Sequence, residues 1–274
     1  MRDTEGDCDV ESSSLGSWRR TRRNVLAAGG LLAGAVLSQL GASKANAGNG
    51  NGNNGNGNGN GGSRGGACFL RGTCLLTPGG ERNIEDLRIG DLLTTLNGEA
   101  KPIQWIGRRV YRRSTDSKHP DGVLPIRVAK GALGPDAPHC DLFISQQHAL
   151  WVDGLFIKAI DLVNGSSITA HSAVEHSEVE YLHVRLAQHD VIFAEGAPSE
   201  TLLVHSGNVE RFDNFAEYLR LCGEDTADEV CCAPIAFGNG RERLMSCLRS
   251  AVSPLVDCRN EFDKARDRIA ELAE

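Results

Sequence analysis

Residues 68–91 read CFLRGTCLLTPGGERNIEDLRIGD. The stretch opens on a cysteine and runs through an apolar, strand-like segment. It turns at Pro78-Gly79-Gly80 and closes on Ile84-Glu85-Asp86-Leu87 and Gly90-Asp91. Just before it, residues 48–66 are nearly pure Gly and Asn, broken only by Ser63 and Arg64. Such a tract has no side chains to bury, cannot offset its ordering entropy and behaves as a random coil. Residues 48–67 are therefore read as a linker. Cys68 stands as the first residue of the ordered domain, with a floppy peptide on its amino side. That arrangement points to chemistry at the Ala67–Cys68 bond.

Upstream of the linker, residues 1–17 are polar and acidic. Arg19-Arg20-Thr21-Arg22-Arg23-Asn24-Val25-Leu26 follows, then an apolar run to Leu37. The run is too short and too rich in Gly and Ala for a membrane-spanning helix. A basic flank, an apolar middle and the small-residue exit Ala45-Asn46-Ala47 make the three parts of an export signal. Thr-Arg-Arg-x-x-Leu is similar to a twin-arginine signal, which a receptor reads to export folded proteins. Residues 1–47 are expected to be a signal cleaved after Ala47, placing the protein in the periplasm, the cell envelope or outside the cell. An uncut signal would be the chain's only link to a membrane.

The 274 residues leave ample chain after Cys68 for one core. With 40% hydrophobic and 24% charged residues the composition is globular. A formal net charge of -7 argues against nucleic acid as a partner. The basic run Arg108, Arg109, Arg112 and Arg113 is read as a solvated strand face. Nine cysteines in an exported chain suggest disulfides. Cys8 falls in the part to be removed, and Cys222, Cys231, Cys232, Cys247 and Cys258 crowd the C-terminal end. Their spacings do not match a zinc pattern, and no metal or cofactor is expected.

Beyond Cys68, short apolar runs alternate with turn residues. The runs are 73–77, 92–96, 103–106, 142–145, 149–152, 181–186 and 191–194, with Asn97-Gly98 and Asp153-Gly154 between strand-like pieces. The fold class expected is all-β. After Asp213 the period changes. Phe212, Phe215, Leu219 and Cys222 recur at helical spacing, as do Phe262, Ala265, Ile269 and Leu272, with Pro254 dividing the two segments. Residues 215–274 are read as a short, helical, cysteine-bearing tail to a domain spanning 68–214.

Two more stretches complete the set. Ser145-Gln146-Gln147-His148 lies between apolar runs, and His189-Asp190-Val191-Ile192-Phe193-Ala194-Glu195-Gly196 comes later. With the opening block around Cys68, these resemble the Hint module, the autoprocessing domain shared by inteins and Hedgehog C-terminal regions. Ser145-x-x-His148 is similar to that family's Thr-x-x-His block. Residues 199–212 resemble a bacterial branch of the family. The resemblance implies a pseudo-twofold β horseshoe and self-cleavage by an N–S acyl shift. Cys68 would attack the Ala67 carbonyl through a five-membered ring, an intramolecular geometry with a large effective concentration. His148 would protonate the departing nitrogen. Ser145 would hydrogen-bond the scissile peptide or its oxyanion. The substrate is then the protein's own N-terminal peptide, and water or a small thiol or amine resolves the thioester. His189 matches a histidine that assists the C-terminal step in inteins. That step looks absent, because Ala197-Pro198-Ser199-Glu200 follows where an intein would end, so no splicing is expected. Asp91 fixes a turn, and Asp190 orients a histidine or faces solvent. His119, His139, His171, His176, His183 and His205 receive no role.

Other readings stay open at this level. Cys68 can be a disulfide partner of Cys74 or Cys140, and Ser145 can merely cap a turn. The module would then be inactive, disulfide-linked and structural. A cysteine hydrolase acting on other chains has least support, since no oxyanion glycine loop accompanies the thiol.

Overall fold

A computed structural model describes residues 66–112, 123–171, 178–205, 207–223, 229–236, 240–253 and 257–273. The expected signal, nearly all of the Gly/Asn linker, Arg113 and Pro254 lie outside them.

The described chain is mostly β. In order come β1 (Phe69–Leu70), β2 (Cys74–Thr77), β3 (Gly80–Asn83), β4 (Leu92–Thr94), β5 (Ala100–Pro102), β6 (Trp105–Arg112), β7 (Ile126–Val128), β8 (Leu142–Ile144), β9 (Ala149–Val152) and β10 (Leu155–Lys158). Then follow the single turn α1 (Ala159–Leu162), β11 (Ile168–Ala170), β12 (Glu178–Arg185), β13 (Val191–Ala194), β14 (Ala197–Glu200), α2 (Phe215–Cys222), β15 (Ile235–Ala236), α3 (Gly240–Val252) and α4 (Glu261–Glu271). One sheet has the order β11-β7-β8-β1-β12-β6 and another β15-β10-β9-β14-β13-β2-β3, with β4-β5 a separate hairpin. All pairings are antiparallel except β10 with β15, and neither large sheet closes into a barrel.

Local chemistry sets the hairpins. Gly98 (φ 86°) turns β4 into β5, and Asp153 (φ 50°) with Gly154 (φ 94°) turns β9 into β10, as the Asn-Gly and Asp-Gly pairs suggest. A third tight turn, Glu195 (φ 49°) and Gly196 (φ 78°), joins β13 to β14. It carries no such dipeptide. Glu195 is held there by tertiary bonds, its carboxylate accepting the Cys74 N–H at 2.6 Å.

The longest ladder pairs β12 with β6 through eight residues, from Glu178↔Arg112 to Arg185↔Trp105. β6 begins two residues later than the apolar run 103–106 suggested and extends through the arginines. Its Arg108 and Arg112 are exposed, but Arg109 is only half-exposed.

Two main apolar clusters form. The larger contains Phe69, Leu75, Leu93, Ile126, Leu142, Ile144, Leu150, Ile157 and Leu182, each fully buried, and takes Phe262, Ala265 and Ile269 from α4. Leu272, the fourth residue of that helical repeat, is exposed, because it caps the end of α4. Asn260 and Asp263 close a reciprocal capping box at the helix start. The second cluster gathers Cys68, Trp105, Val179, Tyr181, Phe212 and Tyr218. Among the described residues no helix is long and apolar enough to cross a membrane.

Gly107 shows how tightly the second cluster is packed. A Cβ there would lie 2.6 Å from the Phe212 ring and 2.8 Å from that of Trp105. Gly107→Ala is expected to destabilise the fold by about 1–3 kcal/mol, the range for overpacking a close-fitted core. Urea unfolding of the variant beside the parent measures the loss.

Candidate functional site

The site assembles where β1 enters between β8 and β12. β1 pairs Phe69 with Ile144 on one side and with Leu182 on the other. The register continues one residue further, since the Ser145 N–H donates to the Cys68 carbonyl at 2.9 Å. The Ser145 hydroxyl then makes two bonds of its own. It accepts the Cys68 N–H at 2.8 Å and donates to the Gly66 carbonyl at 2.7 Å. The serine thus grips the peptide from both sides of Ala67, and its side chain holds the nitrogen of the Ala67–Cys68 bond.

The turn 145–148 brings His148 beneath β1. Its N–H donates to the Ser145 carbonyl at 3.1 Å, and its carbonyl accepts from the Ala159 N–H at 2.8 Å. The imidazole is fully buried and packs on the Phe69 ring, with centroids 4.2 Å apart. Neither ring nitrogen has a hydrogen-bond partner among the described residues. Burial is the main reason its pKa falls to about 4; the negative Glu200 opposes the shift and His189 reinforces it. The ring is therefore neutral at pH 7.

Cys68 is 3% exposed. Burial pushes its thiol far above the ordinary cysteine value, and the Arg109 guanidinium offsets part of that shift. Successive residues of an extended chain face opposite ways. Phe69 packs on His148, whereas Cys68 clusters with Trp105, Val179 and Tyr181. The thiol is thus a dry, protonated group in the second cluster, and the His148 ring makes no hydrogen bond to the Cys68 nitrogen.

Arg109 was not apparent as part of the site from the sequence. It lies over the Tyr111 ring at 4.8 Å, and its buried Nη1 has no hydrogen-bond partner among the described residues. His183 and Glu200 were missed as well. His183 is fully buried on β12, 4.9 Å from the His148 ring and 5.6 Å from that of Phe69. Burial, and then the neighbouring His148 and His189, hold its pKa well below the usual histidine value. Glu200, at the end of β14, accepts the Ala149 N–H at 2.7 Å. Ligand-capable atoms of His148, His183 and Glu200 lie within 4.8 Å of one another, so this trio has the donor types and spacing to hold a metal ion.

His189 lies further along. Its ring packs on Phe156 at 5.0 Å, and its Nε2 is 3.7 Å from Glu200 Oε2. The Cys232 N–H donates to Nδ1 at 3.3 Å, and the Cys231 sulfur is 3.4 Å from the same nitrogen. A backbone N–H can only donate, so Nδ1 is unprotonated and a neutral ring carries its hydrogen on Nε2, facing Glu200. The two aspartates stand apart from the histidines. Asp91 accepts from the Arg88 N–H at 2.9 Å and from Arg82 at 3.1 Å, which fixes its turn. Asp190 pairs with Lys101 at 2.7 Å and accepts its neighbour Val191's N–H at 2.8 Å.

The expected disulfides do not form among the described residues. None of the eight described cysteines is in a disulfide with another described residue. Cys68 is enclosed in the second cluster, Cys74 donates to Asn83 at 3.2 Å, and Cys140 donates to Glu195 at 3.0 Å.

The Hint domain family model matches residues 67–206, about half the chain, and begins one residue before Cys68. No curated protein matches. Among solved structures the chain is similar to the MchDnaB-1 intein (N145AA), with 16% identity, TM-score 0.34, and coverage of 48% of this chain and 99% of that one. It is also similar to the gp41-1 intein, with 12% identity, TM-score 0.36, and 49% and 98% covered. A DnaB intein from Synechocystis sp. PCC 6803 gives 12% identity, TM-score 0.34, and 50% and 100% covered. With a mostly-β fold of two large open sheets, and with the matched region starting at the junction that Ser145 grips, the chain belongs to the Hint domain family.

Proposed function

We propose that the domain cleaves its own chain at Ala67–Cys68 through an N–S acyl shift. The single observation that carries the reading is the Ser145 hydroxyl bound to both the Cys68 N–H and the Gly66 carbonyl. A serine that merely capped its own turn would have no reason to hold a peptide 77 residues away in sequence.

The step balances within the protein. The Cys68 S–H bond breaks as sulfur bonds to the Ala67 carbonyl carbon. The C–N bond then breaks, and the nitrogen takes up the proton that sulfur lost, leaving a free amine and a thioester. His148 is neutral, so it has to receive the thiol proton before it can deliver one. Ser145 stays within reach of the nitrogen, because the amine that forms still carries N–H to donate, though more weakly than the amide did. The Cys68 side chain rotates from its apolar pocket toward the carbonyl behind it, and Arg109 lowers the cost of the developing thiolate. Water, or a small thiol or amine, then releases the upstream peptide. The export signal is part of the same proposal. If it is cut, the released peptide is the Gly/Asn segment 48–67; if it is not, cleavage frees the domain from its anchor.

A second reading is a catalytically inactive Hint module of the envelope. The buried thiol and the unbonded nitrogens of His148 favour it. Disulfide linkage is no part of it among the described residues.

Intact mass of the purified chain, before and after hydroxylamine or a thiol, separates the two. Self-cleavage yields a species beginning at Cys68. Cys68→Ala abolishes it, and His148→Ala slows it by about a hundred- to ten-thousandfold. Ser145→Ala slows it by about tenfold or more, the loss expected for a positioning hydrogen bond of roughly 1.5 kcal/mol. An unchanged mass under every condition leaves the inactive reading.

His148 also predicts a pH dependence of stability. Its folded pKa lies below the unfolded value, so the unfolded chain binds the extra proton between them. The stabilisation is complete above about pH 6.5 and is lost as pH falls toward 4. Urea midpoints measured from pH 7 to 4 are expected to drop across this window, and the His148 ring signals in NMR are expected to stay at their neutral positions down to about pH 5.

A further inference from the structure

Away from the Ser145 junction, at the turn between β13 and β14, three side chains converge that the cleavage chemistry does not use. His139, Cys140 and Glu195 bring one ligand-capable atom each within 4.8 Å of one another. We propose that they form a site for a zinc-class divalent cation.

The backbone fixes the three before any ion arrives. The His139 N–H donates to the Glu195 carbonyl at 2.8 Å, and the Glu195 N–H donates to the Cys74 carbonyl at 2.9 Å. The turn is pressed onto the imidazole, since a Cβ on Gly196 would lie 3.1 Å from His139 Cδ2. Glu81 receives His139 Nε2 at 2.8 and 2.9 Å on its two oxygens. That bond places the ring hydrogen on Nε2 and leaves the Nδ1 lone pair as the ligand. A ligating histidine commonly hands its other N–H to a carboxylate in this way, which orients the ring and raises its basicity.

Glu195 is 5% exposed and uses its two oxygens differently. One accepts the Cys74 N–H at 2.6 Å, and the other accepts the Cys140 S–H at 3.0 Å. A divalent ion would take the place of that S–H contact. The S–H bond breaks, its proton leaves to solvent, sulfur bonds the metal, and the freed Glu195 oxygen turns to the same ion. One nitrogen, one thiolate and one carboxylate suit zinc, with water completing the tetrahedron. His139 and Cys140 are both half-buried, so an ion can enter and a water can remain. The spacing rules did not flag this set, because Glu195 lies 55 residues from Cys140 and no CxxC or CxxH pair is involved.

The site would act as a staple. It ties the β13–β14 turn, through Glu195, to β2 and to the segment that leads into β8 and Ser145. This does not depend on self-cleavage, and its test reads metal binding alone. The full-length chain, reduced and stripped with a chelator, is titrated with Co2+. One equivalent is expected to give a near-ultraviolet sulfur-to-cobalt band together with intense tetrahedral visible bands, both removed by Zn2+. Cys140→Ser is expected to lose the sulfur band and to bind Zn2+ about a hundredfold more weakly. Glu81→Gln, which alters the partner of the histidine and no ligand, is expected to weaken binding by about tenfold and keep the band. His139→Gln supplies a second ligand variant if Cys140→Ser fails to fold, with folding checked by circular dichroism. The absence of saturable binding overturns the proposal. So does binding that survives both ligand variants undiminished, which would assign the ion to other residues.

Discussion

The site depends on one hydroxyl. Ser145 Oγ accepts from the nitrogen of Cys68 and donates to the carbonyl of Gly66, while its own N–H bonds the Cys68 carbonyl. Three hydrogen bonds from a single residue continue the β1–β8 ladder past its last formal pair. They order the end of a chain whose preceding segment has nothing to bury. Neutral hydrogen bonds contribute only about 1 kcal/mol each, so the constraint is geometric more than energetic. It gives the Ala67–Cys68 peptide a fixed orientation, which an intramolecular attack requires.

The second constraint is dryness. His148, His183 and His189 are all buried, with Glu200 as the acidic group among them. Two cationic imidazoles this close would repel each other, and burial penalises each charge separately. Both effects favour neutral rings at His148 and His183. A neutral imidazole can relay a proton but cannot originate one. The same dryness protonates the Cys68 thiol. In the proposed cleavage the reacting proton would start on sulfur, and the acyl shift would be a net transfer from sulfur to nitrogen with no charge left in the core.

How much of this was visible in the sequence varied with the range of the interaction. Apolar runs matched β9 and β13, and the Asn-Gly and Asp-Gly pairs marked the turns that follow β4 and β9, because those signals are local; β5 and β10 were not among the runs. The Glu195-Gly196 turn was not visible, because its strained residue is held by Cys74 from across the sheet. Ser145 and Cys68 stood out through their blocks. Arg109 read as surface because neighbouring arginines are surface, and only the β12–β6 register shows it beside Tyr181. Glu200 ended a polar stretch with no distinguishing spacing. His183 looked like one more strand residue until the fold set it against His148.

The C-terminal tail completes both sheet and site, so it is more than an appendage. β15 adds a parallel edge to β10, and α4 places Phe262, Ala265 and Ile269 in the main core. Just before β15, Glu229 bonds Arg185 at 2.8 Å and the Val204 N–H at 3.1 Å. Those bonds bring the Cys232 N–H to His189 Nδ1. The tail thereby fixes which nitrogen of that ring carries hydrogen, and so which one faces Glu200. Glu200 in turn bonds the N–H of Ala149, the residue after His148. A change in the tail would thus reach the turn of Ser145 and His148 through one imidazole and one carboxylate, each already committed to a defined partner.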